Sequence, residues 1–294
     1  MVPSAFARHE HKPCVIALHC SLGSGRQWTR LTEALRDGYQ VIAPDLAGYG
    51  KNFARPIMPT TLADEVALLG EQIDHVMGPV HLVGHSYGGA VAFKMASSER
   101  WAGRIRSLTL IEPVLPTLLR DNAADRRLHD VFTDLGTRIH TDLWNGMYME
   151  ALERFLEFWR GSGQREALDG EARLHIIEVI EKVAFDFAAI LGEVNVAAAA
   201  AELRVPTLLV SGGLSPYMTQ RIVAKLAALI PDAKARHVPA AGHLLPVSHA
   251  NVINPDIIRH IELADDFANV VLASPPGAPG ARRTREPHLR PMPG

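Results

Sequence analysis

The chain of 294 residues is long enough for one large α/β domain or two small ones. Its apolar content of 47% and charged content of 21% are typical of a soluble globular protein with a sizeable core. The formal net charge of −2 gives no reason to expect nucleic acid or an anionic membrane as a partner. No apolar run approaches the ~20 residues of a membrane span. The first residues also lack the apolar core of a signal peptide, so we expect a cytoplasmic protein.

The two cysteines, Cys14 and Cys20, flank the first predicted strand, residues 15–19. Their separation along a strand is ~20 Å, whereas the Cα atoms of a disulfide lie within ~7 Å of each other. This strand therefore excludes an intrachain disulfide, and two thiols on one strand make a poor metal site. We expect free, buried or half-buried cysteines, and no metal or organic cofactor.

Strands and helices alternate through the first part of the chain. The short apolar run at residues 14–20 predicts a central parallel strand. A glycine-containing loop and a helix over residues 26–36 follow, and then a strand over residues 39–45. Residues 61–77 predict a helix with a threonine cap and an apolar stripe at helical spacing. The cap is Thr61, and the residues of the stripe are Leu62, Val66, Leu69, Ile73 and Met77.

The next stretch has the organisation of a nucleophile elbow. Residues 80–85 are typical of a buried strand, Gly-His-Ser-Tyr-Gly occupies residues 84–88, and residues 90–96 predict a helix. This is the G-x-S-x-G motif, with Ser86 at its centre, in the strand–turn–helix context that it requires. Glycines are needed because strand and helix backbones come close at a strained turn. The alternative is an ordinary strand–turn–helix with a surface serine.

The alternation stops after one more strand, predicted over residues 105–113. Residues 114–204, which we call the helical insertion, contain no convincing strand. Its predicted helical segments are residues 117–133, 142–159, 171–191 and 197–201. An inserted helical subdomain must pack an apolar face on the main domain, and pockets form at such seams. We therefore predict that the insertion caps an active site, and that an aromatic stripe partly faces the pocket: Trp144, Phe155 and Trp159.

The alternation resumes after the insertion. The predicted elements are a strand over 205–213, a helix over 216–229, a strand over 233–238 and a closing helix over about 254–267. Residues 273–294 are rich in Pro, Gly and Arg with few large apolar residues, so we expect a disordered tail. The predicted division is a core of residues 1–113 and 205–272, the helical insertion of residues 114–204, and the tail.

Together, these motifs resemble the single-domain, capped kind of α/β-hydrolase-fold protein over about residues 12–267. The elbow carries much of the resemblance, and Asp-Leu-Ala-Gly-Tyr-Gly at residues 45–50 matches the family's Asp-Leu-x-Gly-x-Gly segment. The resemblance implies a mostly parallel, doubly wound sheet with helices on both faces. Family members usually carry two antiparallel strands first, but only about a dozen residues precede Cys14. We therefore expect a reduced sheet of about six strands.

A serine nucleophile needs a base within hydrogen-bond reach. Among 14 histidines, His243 lies in the loop directly after the last predicted strand, where the family's histidine falls. The other late histidines belong to a predicted strand or to the last helix and its approach. We predict that Ser86 is the nucleophile and His243 the base, and that His85 points away into the core as a structural histidine.

Two backbone N–H groups should bind the oxyanion. One is predicted to be that of Tyr87, the residue after the nucleophile. The other should come from the loop after the first strand, where His19-Cys20-Ser21-Leu22-Gly23 resembles the family's His-Gly-x-x-Gly segment. The resemblance assigns the N–H of Ser21, although Cys20 stands where glycine is usual. His19 is expected only to prop the loop.

The acid of the triad is predicted to be Glu112. In the family it most often follows the strand after the cap, in a segment like Gly-x-x-Asp-Pro, but here that place is taken by Ser215. Some family branches place the acid one strand earlier, where Glu112 ends an apolar strand. An unpaired glutamate is costly to bury there. The alternative is a solvated glutamate at a strand end.

These residues predict a Ser-His-Glu hydrolase acting on small or medium esters or related acyl compounds. Serine at the nucleophile position argues against the dehalogenase and epoxide-hydrolase branches, which carry aspartate there. Cleavage of a C–C bond next to a ketone, or acyl transfer to an alcohol, would use the same residues. A non-catalytic ligand receptor is the other class, and the intact triad argues against it. The expected partner is a small-molecule ester or acyl substrate, with no nucleic acid or membrane, and the sequence is compatible with a homodimer.

Overall fold

One parallel sheet organises the protein. The computed structural model describes residues 12–52, 58–160 and 170–273. Its strands are β1 Cys14–Leu18, β2 Gln40–Ile42, β3 Val80–His85, β4 Ile105–Ile111, β5 Thr207–Gly212 and β6 Ala233–Val238. Their order is β2-β1-β3-β4-β5-β6, and every neighbouring pair is parallel. The prediction of a mostly parallel sheet of about six strands is therefore confirmed.

The strand order reverses at β1, and in open α/β sheets such a reversal is where the ligand crevice lies. From β1 the chain crosses to β2 on one side and then returns to β3 on the other side. The loops after β1 and β3 therefore separate at the carboxyl edge of the sheet, and open α/β sheets bind ligands at such a point. Ser21 follows β1 and Ser86 follows β3, so both residues lie beside this crevice.

Helices cover both faces of the sheet, as a doubly wound fold requires. The helices of the main domain are α1 Thr29–Leu35, α2 Leu62–Gln72, α3 Tyr87–Ala96, α4 Glu99–Ala102, α9 Tyr217–Leu229, α10 Leu245–Ser248 and α11 Ala250–Ala273. Alternate residues of β1 point to opposite faces. Val15 belongs to the buried cluster that includes residues of α1 and α11, whereas Ile16 belongs to the cluster that includes residues of α2, α3 and α9. Helix α11 runs to Ala273, so the predicted tail lies outside the described residues from 274 onward.

The helical insertion contains helices only, within the residues that the structure describes. They are a 3-10 turn at Pro116–Leu119, then α5 Arg126–Trp144, α6 Tyr148–Arg160, α7 Gly170–Gly192 and α8 Val196–Glu202. The insertion shares one buried apolar cluster with the main domain, in which Val183 of α7 and Phe93 of α3 both take part. Before α5, Asp125 accepts hydrogen bonds of 2.9 and 3.0 Å from Arg221 of α9, which ties the insertion to the core.

Two helices predicted in the insertion have the wrong bounds. The predicted helix over residues 142–159 is broken at Gly146, whose φ of +72° is left-handed. The N–H of Met147 donates to the Asp142 carbonyl at 2.8 Å, as in a helix C-terminus closed by glycine. The predicted helix over 117–133 begins only at Arg126, because the Asn122 side chain accepts from the N–H of Ala124 at 2.9 Å and favours a turn.

No single helix among the described residues is long and apolar enough to cross a membrane, although the bent pair Val179–Gly192 and Val196–Glu202 passes on length and composition.

Candidate active site

Ser86 occupies a strained turn between β3 and α3. Its φ of 55° and ψ of −118° lie outside the regions that side-chain-bearing residues usually adopt. Such strain persists only where the surroundings hold it, and it is common at functional sites. A Cβ on Gly84 would lie 2.4 Å from the carbonyl oxygen of Gly88. A Cβ on Gly88 would lie 2.3 Å from that of His19, so both glycines of the motif are required by close backbone contact.

The structure brings Ser86, His243 and Glu112 together in one hydrogen-bonded chain. The Nε2 atom of His243 lies 2.9 Å from Ser86 Oγ, and its Nδ1 atom lies 2.6 Å from Glu112 Oε2. All three side chains are buried. Because an ionised carboxylate only accepts, the Nδ1–H donates to Glu112, and Nε2 is left to accept the serine proton. This is the arrangement in which a histidine can act as a base toward a serine.

Glu112 is fully buried, and both of its carboxylate oxygens have partners. Oε2 accepts from His243, and Oε1 accepts from the N–H of Gly212 at 2.7 Å. Its φ of 45° is left-handed, which turns the chain out of β4 directly at this residue. Glu112 is therefore not a solvated side chain. Ser215 is also buried, and its hydroxyl has no hydrogen-bond partner in the described part of the chain.

His85 supports His243 and is closer to the site than the sequence suggested. Its Nε2–H donates to the backbone carbonyl of His243 at 2.8 Å, and the two ring centroids are 4.9 Å apart. Burial lowers the pKa of His85 well below its usual range, so the ring is neutral near pH 7. It remains a buried histidine, as predicted, but it holds the loop that carries His243. Adjacency to the elbow was the only signal in the sequence.

His19 connects the loops that follow β1 and β2. Its Nε2 accepts from the N–H of Leu46 at 2.9 Å, and its Nδ1–H donates to the carbonyl of Cys20 at 2.7 Å. Burial lowers the pKa of His19, which favours the neutral ring that this pair of contacts needs. His19 thus fixes the loop that carries Ser21. Cys14 and Cys20 are free, and burial raises the pKa of their thiols to about 11 and about 12.

The two predicted oxyanion donors are Ser21, in the loop after β1, and Tyr87, which follows Ser86 directly and begins α3. Their side chains contact two buried carboxylates. Ser21 Oγ donates to Asp186 at 2.5 Å, and the Tyr87 hydroxyl donates to Glu65 at 2.9 Å. Sequence reasoning missed both acids, because neither lies in a motif and Asp186 is 165 residues from Ser21.

The three predicted pocket residues of the insertion have different surroundings. The Trp159 ring stacks on the His243 ring, with centroids 4.1 Å apart and planes at 19°. Phe155 packs edge-on against Trp159 at 6.0 Å. Trp144 is 83% exposed and lines a surface groove with Leu143 and Phe185, away from this stack. The difference follows from the break at Gly146, which places Trp144 on α5 and the other two residues on α6.

No cluster of three or more His, Cys, Asp or Glu side chains suitable for a metal ion occurs within the ranges that the structure describes.

Several known proteins match this chain, some of them over most of its length. Residues 15–254 match the model of the Alpha/beta hydrolase family. Esterase YbfF of Escherichia coli is 25% identical over 260 residues, covering 86% of this chain and 94% of the esterase. Lipase LipV of Mycobacterium tuberculosis is 36% identical over 103 residues, covering 34% of this chain. The chain spans 37% of the length of LipV, and less than two thirds of two further curated relatives.

Solved structures show the same fold. The structure of MenH from S. aureus superposes with a TM-score of 0.68, at 22% identity, and covers 88% of this chain and 97% of MenH.

Proposed function

Because this chain belongs to the alpha/beta hydrolase family, we propose that it is a serine hydrolase that cleaves small or medium esters, or related acyl compounds, through an acyl-enzyme. The observation that carries this proposal is the hydrogen-bonded chain from Glu112 through His243 to Ser86, at 2.6 and 2.9 Å. An esterase and a lipase among the relatives are in keeping with this chemistry.

In this proposal Ser86 Oγ attacks the carbonyl carbon of the ester while His243 Nε2 takes the serine proton. Glu112 holds the Nδ1–H side of the ring and stabilises the imidazolium that forms. The negative charge on the carbonyl oxygen is bound by the N–H groups of Ser21 and Tyr87. His243 then gives the proton to the departing alcohol, which leaves the acyl group on Ser86. A water molecule, activated by His243, releases the acid and restores the serine.

The helical insertion would serve as a cap that selects the substrate. Trp159 covers one face of His243, so α6 forms part of the wall around the reacting atoms. Phe155 backs Trp159 and is itself buried. Trp144 would contact only a substrate long enough to reach its groove. This arrangement favours apolar acyl or alcohol groups.

The first test is covalent labelling. The purified protein should react with a fluorophosphonate probe, and Ser86→Ala should abolish the labelling without lowering the melting temperature. Ser248→Ala is the matched control, because its exposed hydroxyl contacts only the Leu244 carbonyl and the His249 ring among the described residues, and neither belongs to the proposed triad. Undiminished labelling of Ser86→Ala would refute the assignment of the nucleophile. An unreactive parent protein would favour the ligand-receptor alternative.

The second test concerns the reaction. Nitrophenyl esters of increasing acyl length should be hydrolysed, and the kcat/KM values should define the preferred length. Product analysis with and without an added alcohol separates hydrolysis from acyl transfer. A vinylogous diketone tests for C–C cleavage. If the protein labels at Ser86 but hydrolyses none of these esters, that result would count against an esterase.

A further inference from the structure

A buried charged cluster connects the helical insertion to both predicted oxyanion donors. Its charged members are Lys182 and Asp186 on α7 and Glu65 on α2, and all three are 1–2% exposed. Fully buried lysines are rare in proteins unless they are paired. Lys182 Nζ lies 3.3 Å from Glu65 Oε2, and it also donates to Asp186 Oδ1. Lys182 and Asp186 are four residues apart, so they lie on the same face of α7.

Every carboxylate oxygen of the cluster accepts hydrogen bonds from the main domain or from Lys182. Asp186 Oδ2 accepts from Ser21 Oγ at 2.5 Å and from the Tyr49 hydroxyl at 2.6 Å. Glu65 Oε1 accepts from the N–H of Ala47 at 2.9 Å, and Oε2 accepts from the Tyr87 hydroxyl at 2.9 Å. Segments that follow β1, β2 and β3 therefore all meet the insertion at this one cluster.

The protonation states agree with this hydrogen bonding. Burial on its own lowers the pKa of Lys182, but the Asp186 and Glu65 carboxylates outweigh it and raise the pKa above the usual value. Burial, reinforced by Asp186, raises the pKa of Tyr49 and Tyr87 well above their usual range. The lysine is therefore charged and both phenols keep the protons that they donate.

Such a cluster is a poor device for stability alone. Desolvating three charges is costly, and well-packed apolar residues often replace buried ion pairs without loss of stability. Burial raises the pKa of Glu65 above its usual value; with both acids ionised, two carboxylates and one ammonium leave one net negative charge, which on its own would oppose an oxyanion nearby. The cluster is therefore not a source of favourable charge for the reaction. What it does is hold the side chains of Ser21 and Tyr87.

We propose that Asp186 and Lys182 are positioning residues, which hold the Ser21 and Tyr87 backbone N–H groups in the geometry that binds the oxyanion. Asp186 holds Ser21 directly, whereas Lys182 links Asp186 to Glu65, which holds Tyr87. The oxyanion site is then complete only when α7 is seated on the main domain. This inference rests on the proposed serine hydrolase function, and it adds that the insertion contributes to the chemical step.

The test uses changes that leave the charges in place. Ser21→Ala and Tyr87→Phe each remove one hydroxyl and keep the backbone N–H. Each should lower kcat for a nitrophenyl ester by roughly 10- to 100-fold with little change in KM, because oxyanion donors act mainly in the transition state. Binding of a trifluoromethyl ketone, whose adduct carries an oxyanion, should weaken by a similar factor. Ser21→Thr, which restores a hydroxyl, should recover most of the activity.

Asp186→Asn tests the contribution of the insertion itself. It should lower kcat in the same way, since an amide cannot accept from Ser21, Tyr49 and Lys182 at once. Tyr39→Phe is the matched control for Tyr87→Phe, because the Tyr39 hydroxyl also donates to a carboxylate, that of Asp265, at 3.0 Å. Asp265 contacts His81 and Arg106, near the amino ends of β3 and β4 and away from Ser86. The kcat of Tyr39→Phe should stay within about threefold of the parent protein.

The outcomes separate this proposal from the one on which it rests. Losses of kcat at Ser21, Tyr87 and Asp186, matched by weaker ketone binding and rescued by Ser21→Thr, support it. Unchanged kcat in these variants, with fluorophosphonate labelling of Ser86 intact, overturns it and leaves the serine hydrolase standing. A rise in KM at constant kcat also overturns it, because the cluster would then bind substrate. An unreactive parent protein overturns both proposals.

Discussion

Glu112→Gln is the substitution that most directly tests the proposed triad. The two oxygens of Glu112 both accept, from His243 Nδ1–H at 2.6 Å and from Gly212 N–H at 2.7 Å. Glutamine has one accepting oxygen and one donating NH₂ group. If the glutamine oxygen faces His243, its NH₂ group faces the N–H of Gly212, and both of these groups are donors. If it faces Gly212, the NH₂ group meets Nδ1 and forces the proton onto Nε2, which can then no longer accept from Ser86.

The expected loss of kcat is large because either orientation of the glutamine amide breaks one hydrogen bond in a fully buried site. The corresponding change in a serine protease lowers kcat ~10⁴-fold, which is about 5 kcal/mol of activation free energy. We expect a loss of at least two orders of magnitude in an esterase, where leaving groups are better. The assay is kcat for a nitrophenyl ester, normalised to the fraction of enzyme that labels with the fluorophosphonate after prolonged incubation.

Ser215→Ala is the matched control at the position where the family more often carries its acid. The Ser215 hydroxyl is buried without a partner among the described residues, so its removal breaks no hydrogen bond. Its kcat should stay within about threefold of the parent protein, and its melting temperature should not fall. A Glu112→Gln variant with more than a tenth of the parent kcat, or a Ser215→Ala variant with the larger loss, would refute the assignment of the acid.

Three further predictions concern the insertion and the buried histidines. Trp159→Leu removes the ring stacked on His243 and should lower kcat by roughly 2- to 30-fold, because an aromatic face stabilises an adjacent cation by ~0.5–2 kcal/mol. Trp159→Phe keeps an aromatic face and should retain most of the parent kcat. Equal losses of kcat in both variants would contradict this reason. Trp144→Ala should change the ratio of the kcat/KM values for long and short esters. The melting temperature should not fall, because the ring is 83% exposed. An unchanged ratio would show that Trp144 does not contact the substrate. The free energy of unfolding by urea should fall as the pH drops below ~6.5, by up to ~1.4 kcal/mol per pH unit for each histidine that is neutral when folded and protonates when unfolded. Burial lowers the pKa of three such histidines: His19, His85 and His260. A flat dependence between pH 7.5 and 5.5 would contradict that assignment.

Local patterns were sufficient to predict the sheet and the residues at its carboxyl edge. The four central strands are short apolar runs, whereas the edge strand β6 carries Lys234, Arg236 and His237. The motif around Ser86 contains its own steric explanation in Gly84 and Gly88. Glu112 and His243 were assigned from the resemblance to the family, and both stand at strand ends, which parallel strands bring to a common edge. These assignments needed short motifs, the resemblance and the topology of one sheet.

The contacts of the insertion could not be predicted in the same way. Lys182 and Asp186 have the spacing of an ordinary ion pair on an exposed helix surface, and nothing in the sequence shows that α7 turns this face inward. Their partners lie more than 100 residues away. The aromatic stripe was interpreted as one helix because only the left-handed conformation of Gly146 separates Trp144 from Trp159. Sequence reasoning misses such breaks when a glycine is tolerated inside a helix.

The hydrogen bonds around the site also fix which nitrogen of each imidazole carries the proton. His19 and His243 hold it on Nδ1, since their Nε2 atoms accept from Leu46 and from Ser86. His85 holds it on Nε2, since that atom lies 2.8 Å from the His243 carbonyl oxygen, whereas Nδ1 lies 3.4 Å from Gln27 Oε1. Protonated and bare ring nitrogens resonate at different frequencies in ¹⁵N NMR spectra, so the three rings act as built-in spectroscopic reporters. Loosening of the loops that follow β1 or β6 would be visible as a mixture of tautomers at His19 or at His243.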